Sequence, residues 1–429
     1  MADAPIRVGF LGCGNVGGAL IGLLAREGDA IARRTGVRLV VTRVLVRDPD
    51  KPRPEELDAT LLTTEPTDVV AAEDVDVVVE MMGAVDPAFA LLRQALAAGK
   101  PVVTANKELI AERGPELFAA ASAAGRDLLF EAAVGGGIPL IRPLRESLAG
   151  EPLRRVMGIV NGTTNFVLTR MTEDGASYEA ALADAQALGY AEPDPTADVG
   201  GHDAAAKAAI IASIAFGVAV PVGSVYREGI ESVTATDIAF ATRLGYVVKL
   251  LAVAELVDGQ VAVRVHPAMV PITHPLAAVR DSFNAVFIEG EAVGELMLYG
   301  RGAGGLPTSS ALLGDLLDAG HNLRAGGAGR SPVLAAAEIR PVAELESQYY
   351  LALDVLDRPG VLATVASVFG THRISISSME QHGLGDNARL VFITHTARER
   401  EIQATLEELR SLDAVRQIGG MLRVIGDES

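Results

Sequence analysis

Asp203 and Lys207 follow Gly201-His202 four residues apart, a spacing that puts a carboxylate and an ammonium on one face of a helix. Taken alone, such a pair reads as a helix cap and a solvated ion pair. Its surroundings argue otherwise. From Ala208 to Phe216 the chain is almost wholly apolar, so the helix is buried and a lone lysine at its entrance calls for a reason. Just upstream, Glu192, Asp194 and Asp198 lie among Pro193 and Pro195, which stiffen the loop that carries them. A second constellation opens the chain. Gly12, Gly14 and Gly17, with Asn15 and Val16 among them, spell G-x-G-x-x-G after the apolar run Ile6 to Leu11. A strand that breaks into glycines and then a helix lets backbone N–H groups and a positive helix end meet a pyrophosphate. The single cysteine, Cys13, sits in that turn, where it packs as a small apolar residue. This argues against oxidation through a cysteine thioester and for direct hydride transfer at a carbon bearing a hydroxyl or carbonyl, with a protein group handling the proton.

The elements that must position these residues follow from the hydrophobic pattern. A strand at Ile6 to Leu11, a helix at Val16 to Ala32 and a second strand at Val37 to Val46, buried on both faces, make a βαβ unit. The alternation continues with strands at Asp76 to Glu80, Pro101 to Thr104 and Asp127 to Glu131, and helices at Pro87 to Ala98 and Pro115 to Ala124. Beyond Ala132 the texture changes to glycine-rich turns, the helix Ala204 to Phe216, and strand-like stretches at Gln260 to Val265 and Ala285 to Glu289. A glycine-, alanine- and proline-rich stretch, Arg324 to Glu344, reads as a linker into a βαββαβ unit from Tyr349 to Ile425. The expected fold class is α/β: a Rossmann-type nucleotide domain, an α+β substrate domain, and a small C-terminal βαββαβ domain. The boundaries fall at residues 1–131, completed by about 302–323; 132–301; a linker at 324–348; and 349–429. With such a connector, the C-terminal unit should be removable without exposing the catalytic core.

At 429 residues the chain is long enough for two or three cores. Its net charge of −18 leaves no basic stripe for nucleic acid or an anionic membrane, and no uninterrupted apolar stretch reaches transmembrane length. A small molecule is the expected partner and the cytoplasm the expected compartment, since MADAPIRVGF runs straight into the first strand. One cysteine excludes an internal disulfide and a cysteine metal cluster.

Five runs carry a closer resemblance: Thr104-Ala105-Asn106-Lys107; Glu131 to Pro139; Gly158-Ile159-Val160-Asn161-Gly162-Thr163-Thr164-Asn165; Glu192 to Lys207; and Gly302 to Thr308. In order and over nearly the whole chain, the sequence resembles the monofunctional homoserine dehydrogenases with a C-terminal ACT domain. Gly200 departs from the family, which more often has a polar or acidic residue there. The resemblance implies reversible NAD(P)-dependent interconversion of L-homoserine and L-aspartate 4-semialdehyde, a step of threonine, methionine and isoleucine biosynthesis. On that analogy Lys207 is the acid/base, Asp203 orients it, and Lys107 reaches both cofactor and substrate. Glu192 pairs with the substrate ammonium, Asp198 joins it in the substrate site, and Gly162 and Thr163 offer backbone and hydroxyl contacts to the carboxylate. An ammonium near a developing alkoxide stabilises charge and supplies a proton, which suits the task.

The same resemblance assigns the cofactor to Gly12, Gly14, Asn15, Val16, Gly17, Gly83, Thr104, Lys107 and Gly305. After the second strand the chain reads Val46-Arg47-Asp48-Pro49-Asp50-Lys51-Pro52-Arg53. Arg47 and Lys51 could embrace a 2′-phosphate while Asp48 could accept from a free 2′-hydroxyl, so NADP is expected with NAD use possible. A monovalent cation, normally sodium in the family, maps onto Glu131, Val134, Gly136 and Ile138; a hinge whose glycines permit unusual backbone angles is the other reading. Asp357-Arg358-Pro359-Gly360-Val361-Leu362 resembles the ligand turn of ACT domains and implies feedback by L-threonine in a homodimer or homotetramer. The alternative is a catalytically inactive amino-acid-sensing ACT protein; the presence of Lys207, Asp203 and Glu192 speaks for the enzyme.

Overall fold

Short β-branched runs punctuated by glycine give the N-terminal third its strand and helix rhythm. It comprises β1 (Ile6–Leu11), α1 (Asn15–Thr35), β2 (Leu39–Leu45), β3 (Leu62–Thr63), α2 (Thr67–Val70), β4 (Val77–Glu80), α3 (Val85–Ala97), β5 (Val102–Thr104), α4 (Lys107–Ala124), β6 (Leu128–Leu129) and α5 (Ile141–Arg145). The middle adds β7 (Leu153–Ile159), α6 (Gly162–Glu173), α7 (Tyr178–Ala187), α8 (Thr196–Val199), α9 (His202–Phe216), β8 (Val218–Ala219), β9 (Tyr226–Arg227), α10 (Ala235–Arg243), β10 (Tyr246–Val257), β11 (Gln260–Pro271), β12 (Phe283–Gly290) and β13 (Gly294–Arg301). The chain ends with α11 (Gly305–Arg324), β14 (Ala335–Ala336), β15 (Glu346–Leu356), α12 (Val361–Thr371), β16 (Ile376–Leu384), β17 (Asn387–Thr394), β18 (Ala397–Arg398), α13 (Glu399–Arg410) and β19 (Val415–Val424). The structure is a computed structural model and describes residues 4–426.

Two compact units divide the chain. The first takes Met1–Val156, Ala206–Ser224 and Asn284–Ala337; the second takes Met157–Ala205, Val225–Phe283 and Glu338–Ser429. In the first, six parallel strands run in the order β3-β2-β1-β4-β5-β6. The order reverses between β1 and β4, where Leu11 pairs with Glu80, and a doubly wound sheet binds its ligand at the carboxyl ends of the strands flanking that reversal. Val8, Phe10, Val77, Val79 and Val103 form the core with Leu20 of α1 and Leu312 and Leu316 of α11. Helix α11 therefore belongs to the nucleotide core although it lies far along the chain.

Two expectations need correcting here. Strand β2 is not buried on both faces: Val40 is 40% exposed and Arg43 points outward to Asp74. Helix α4 begins at Lys107, eight residues before the expected start, because Asn106 caps it and Pro115 is tolerated within it.

In the second unit, β10 and β11 form a long antiparallel hairpin from Tyr246↔Pro271 to Val257↔Gln260. Its two-residue loop is Asp258-Gly259, both at positive φ (52° and 80°), the Asp-Gly turn whose twist matches the strands. β15, β16, β17 and β19 with α12 and α13 make the βαββαβ unit, its core built on Tyr349, Leu351, Leu353, Phe369, Phe392 and Leu406. β18 is a short extra strand on β15.

The glycine-rich connector is not a free linker. Ala335 and Ala336 pair with Val218 and Ala219, and Val261 N donates to Glu338 O at 2.8 Å while Arg340 N donates to Val261 O at 2.9 Å. Arg423 and Val424 of β19 pair with Ala268 and Met269 of β11, so the βαββαβ unit extends the same sheet as the β10–β11 hairpin.

Lys249, on β10, is buried and donates to Asn165 Oδ1 at 3.0 Å and to the Val279 carbonyl. Burial pulls its ammonium down from 10.5 to about 8. The unfolded chain therefore binds more protons between those pH values, and stability rises with pH across that window, by at most about 3 kcal/mol. Melting of wild type and Lys249→Met at about pH 8 and about pH 10 checks this: the wild type should gain stability relative to the variant at the higher pH, and parallel curves would contradict it.

Candidate active site

The three glycines of the first turn do three different jobs. Gly12 sits at φ +98°, and a Cβ there would lie 3.1 Å from the Met81 carbonyl; one at Gly17 would lie 3.2 Å from the Gly12 carbonyl. A Cβ at Gly14 would meet nothing within 4 Å. The first and third glycines thus let strand, turn and helix close up, and the second leaves bare backbone facing outward, the cradle a pyrophosphate requires. Gly14 is the N-cap of α1, with no side-chain cap and no acid in the first turn. Helix α11 begins at the same corner: a Cβ on Gly305 would lie 3.2 Å from the Asn15 carbonyl, and this helix too lacks a side-chain cap and an acid in its first turn. Two positive helix ends therefore converge where an anion would sit. The residues present fit a dinucleotide.

Arg47 and Lys51 are exposed beyond the end of β2. Arg53, which ends the same run and has no role readable from the sequence, donates to the carbonyls of Asp48 at 2.6 Å, Pro49 at 3.1 Å and Lys51 at 2.8 Å. That guanidinium fixes the loop bearing both candidate phosphate ligands. Cys13 is half-buried, and burial pushes its thiol up, against the nearby Arg53 charge. It behaves as packing, not as a nucleophile.

Sequence reasoning missed Glu80. It ends β4 wholly buried, its Oε1 accepting from the N–H groups of Met82 at 2.6 Å and Gly83 at 3.3 Å and its Oε2 from the Thr104 hydroxyl at 2.5 Å. Burial pushes its carboxyl up, against those hydrogen bonds. Thr104 Oγ1 in turn accepts from Asn106 N at 3.0 Å, and Asn106 Oδ1 caps α4 through Leu109 N at 3.0 Å. This relay fixes Lys107 as the first residue of α4, where it pairs with Glu108 at 3.1 Å. The hydroxyl of Thr104 is spent on Glu80 and does not face outward. An acid closing the otherwise apolar run Val77-Val78-Val79-Glu80 was the available signal.

Around the expected cation position, the Glu131 carboxylate is occupied by protein. Oε1 accepts from Leu140 N at 2.5 Å and Ile141 N at 2.8 Å, and Oε2 from Arg142 N at 2.7 Å, so the side chain caps α5. Asp315 Oδ2 accepts from Glu131 N at 2.8 Å, and burial pushes Asp315 up to about 7. Gly136 at φ +56° abuts Gly302, whose carbonyl would lie 2.4 Å from a Cβ there. The side chain of Glu131 therefore does not fit the role of a cation ligand, and hard ligands at this place would be backbone carbonyls.

In the second unit the substrate candidates gather around Asn161. Its Oδ1 accepts from Thr164 N at 2.9 Å and caps α6, while its Nδ2 donates to Asp198 Oδ1 at 2.7 Å and to Asp203 Oδ2 at 2.9 Å. One amide thus ties the α6 start to both carboxylates. The Thr163 hydroxyl lies 2.6 Å from the Tyr190 carbonyl and 3.1 Å from Asp198 Oδ2. Its single proton goes to one of these, so the expected hydroxyl contact to a substrate carboxylate gives way to the backbone N–H groups of Gly162 and Thr163 at the helix start. Gly162 is obligatory, since a Cβ there would lie 2.8 Å from the Ser282 carbonyl. Glu192 stands exposed on its proline-bounded loop. Asp203 and Lys207 are both half-buried, on successive turns of α9, whose Ala204 to Ser213 are otherwise buried.

A separate open pocket of about 360 Å³ lies at the β15–α12 turn, lined among others by Asp357, Arg358, Gly360 and Gln381. Gly360 caps α12 at φ +93° with no side-chain cap.

A doubly wound sheet with an uncapped glycine cradle, in a chain that also carries carboxylates tied to one amide and a lysine one helical turn further on, is what a dinucleotide-dependent oxidoreductase requires. Comparison with known proteins narrows this. The family models that match are Homoserine dehydrogenase over residues 139–317, Homoserine dehydrogenase, NAD binding domain over residues 12–131, and ACT domain over residues 349–414. The homoserine dehydrogenase of Mycobacterium tuberculosis is 47% identical over 436 residues, covering 99% of this chain and 98% of that protein. The crystal structure of a homoserine dehydrogenase from Thiobacillus denitrificans superposes with a TM-score of 0.93 at 41% identity, covering 98% of each chain. A hyperthermophilic archaeal homoserine dehydrogenase solved in complex with NADPH matches with a TM-score of 0.62 at 28% identity, over 74% of this chain and 98% of that one. The chain belongs to the homoserine dehydrogenase family. It is an NAD(P)-binding oxidoreductase acting on a CH–OH group of a small molecule, and an inactive sensor is not favoured. No helix among the described residues is long and apolar enough to cross a membrane.

Proposed function

We propose that the chain oxidises L-homoserine to L-aspartate 4-semialdehyde, and reduces it back, at the Asp198–Lys207 turn. The observation that carries this reading is Asn161 joining the α6 start to Asp198 and Asp203, one helical turn before Lys207. The nicotinamide, when bound, exchanges a hydride with the carbon that bears the substrate oxygen. Lys207 takes the hydroxyl proton in oxidation and returns it in reduction, and Asp203 holds it in line. The α6 N–H groups of Gly162 and Thr163 hold the substrate carboxylate, while Glu192 and Asp198 receive its ammonium. Lys107, held at the head of α4, touches both substrate and cofactor. Gly12, Gly14, Asn15, Val16, Gly17, Gly83, Thr104 and Gly305 would hold the cofactor, the backbone of Thr104 serving in place of its committed hydroxyl. Carbonyls of Val134, Gly136 and Ile138 would hold a monovalent cation, which we assign as sodium, with Glu131 shaping the turn as a cap.

We assign the preferred cofactor as NADP, with Arg47 and Lys51 on the 2′-phosphate, in keeping with the archaeal relative solved with NADPH. Arg47→Ala should raise KM for NADP by about tenfold or more and leave KM for NAD nearly unchanged, since only the phosphate loses a charge-assisted bond. Equal effects on both would show that Arg47 does not read the 2′ position.

The pocket at the β15–α12 turn suits a free amino acid, its carboxylate at the uncapped α12 start and its ammonium at Asp357. We assign L-threonine as that ligand and feedback control of a homodimer or homotetramer as its effect, within threonine, methionine and isoleucine biosynthesis. Assay of homoserine oxidation by the full chain with NAD and NADP separately, with and without threonine, tests the reading. Homoserine-dependent reduction of the dinucleotide supports it, and none with either cofactor overturns it.

A further inference from the structure

One edge of β11 is shared end to end by two short partners. Tyr226 and Arg227 of β9 pair with Arg264 and Val265, and Arg423 and Val424 of β19 pair with Ala268 and Met269. Where they meet, Arg423 is 2% exposed and holds two carboxylates at once. Its Nε donates to Glu399 Oε2 at 2.9 Å, and its Nη2 donates to Glu228 Oε1 at 2.9 Å. Tyr226 donates its hydroxyl to the same Glu228 oxygen, and Tyr349 donates to Glu399 at 2.9 Å. A buried cation shared in this way fixes both acids, because release of either leaves a charge without its partner.

Glu228 sits beside the turn that leads from Asp198 to Asp203. Arg227 Nη1 donates to the Gly200 carbonyl at 2.8 Å, Ile230 N donates to the Val199 carbonyl at 2.9 Å, and Glu228 N is itself held by the Val265 carbonyl at 2.8 Å. The packing leaves no slack: a Cβ on Gly229 would lie 2.4 Å from the Val199 carbonyl, and one on Gly201, at φ +76°, 3.3 Å from the Glu228 carbonyl. We propose that Arg423 is a positioning residue for substrate binding: by anchoring Glu228 it sets residues 226–230, and through them the turn that carries Asp198 and Asp203. The proposal rests on the reading of that turn as the substrate site. It makes the last strand of the βαββαβ unit a structural part of the active site.

The test uses the full chain. Glu228→Gln, which keeps size and hydrogen bonding, and Arg423→Met should each raise KM for L-homoserine by about three- to thirtyfold, the range for residues that act through a packed network. KM for the dinucleotide should stay within about twofold. Arg423→Lys, which keeps the charge but not the fork, should recover part of the loss. Variants that melt earlier yet retain wild-type KM and kcat in the folded fraction would overturn the proposal, since a purely structural role moves stability alone. Lys207→Ala assayed alongside separates the two readings. Lost turnover there, with unchanged KM in Glu228→Gln, overturns only the positioning role; normal turnover there overturns the reading of the turn itself.

Discussion

Lys207→Ala should lower turnover by about a hundredfold to ten-thousandfold, the usual cost of removing an acid/base. Dinucleotide affinity and melting temperature should barely change. Lys207 is half-buried, and the packing of α9 is carried by Ala204, Ala205, Ala208, Ala209, Ile210 and Ile211, so the substitution removes a proton carrier and little core. The glycine cradle for the dinucleotide belongs to another part of the chain, around Gly12 to Gly17. Steady-state rates, dinucleotide titration and thermal melts on one preparation check all three statements, and a near-normal rate would sink the acid/base assignment.

A chain ending at Leu323 should fail to fold stably. The composition of the connector suggested the opposite, and the strand pairing explains the reversal. Truncation strips β19 from the β11 edge at Ala268 and Met269, and removes the Tyr350 hydroxyl that donates to buried Asp237 at 3.0 Å. It also removes Arg423 from Glu228. The β11 edge and the apolar surface beneath the βαββαβ unit are then open to water, in a fold whose total stability is only about 5–15 kcal/mol. We expect aggregation on expression, or a melting temperature lower by about 10 °C or more. Circular dichroism melts of purified full-length and truncated chains decide this, and coincident melts would contradict it.

The parts legible in the sequence are those specified locally. Gly12, Gly14 and Gly17 announce their turn because only glycine tolerates φ +98° at the first and close backbone contact at the third. The apolar run after Lys207 announces a buried helix. The parts that stayed hidden depend on partners distant in the chain. Nothing near Glu131 says that its carboxylate will cap α5 nine to eleven residues later. Nothing in Arg324 to Glu344 says that Ala335 and Glu338 will pair with Val218 and Val261. Strand β10 is hidden in the sequence because Lys249 and Glu255 interrupt its apolar pattern; their partners, Asn165 and Arg264, appear only once the chain has folded. Asn161 stands in the sequence only as one member of the Gly158 to Asn165 run, although its side chain caps α6 and holds both carboxylates.

The most direct test of the central claim is the position of L-homoserine in a crystal structure of the full chain with the oxidised dinucleotide bound. The account predicts the substrate hydroxyl oxygen within about 3.2 Å of Lys207 Nζ, with its carboxylate on the backbone N–H groups of Gly162 and Thr163. A hydroxyl directed away from Lys207, with another side chain in hydrogen-bond reach of that oxygen, would contradict it.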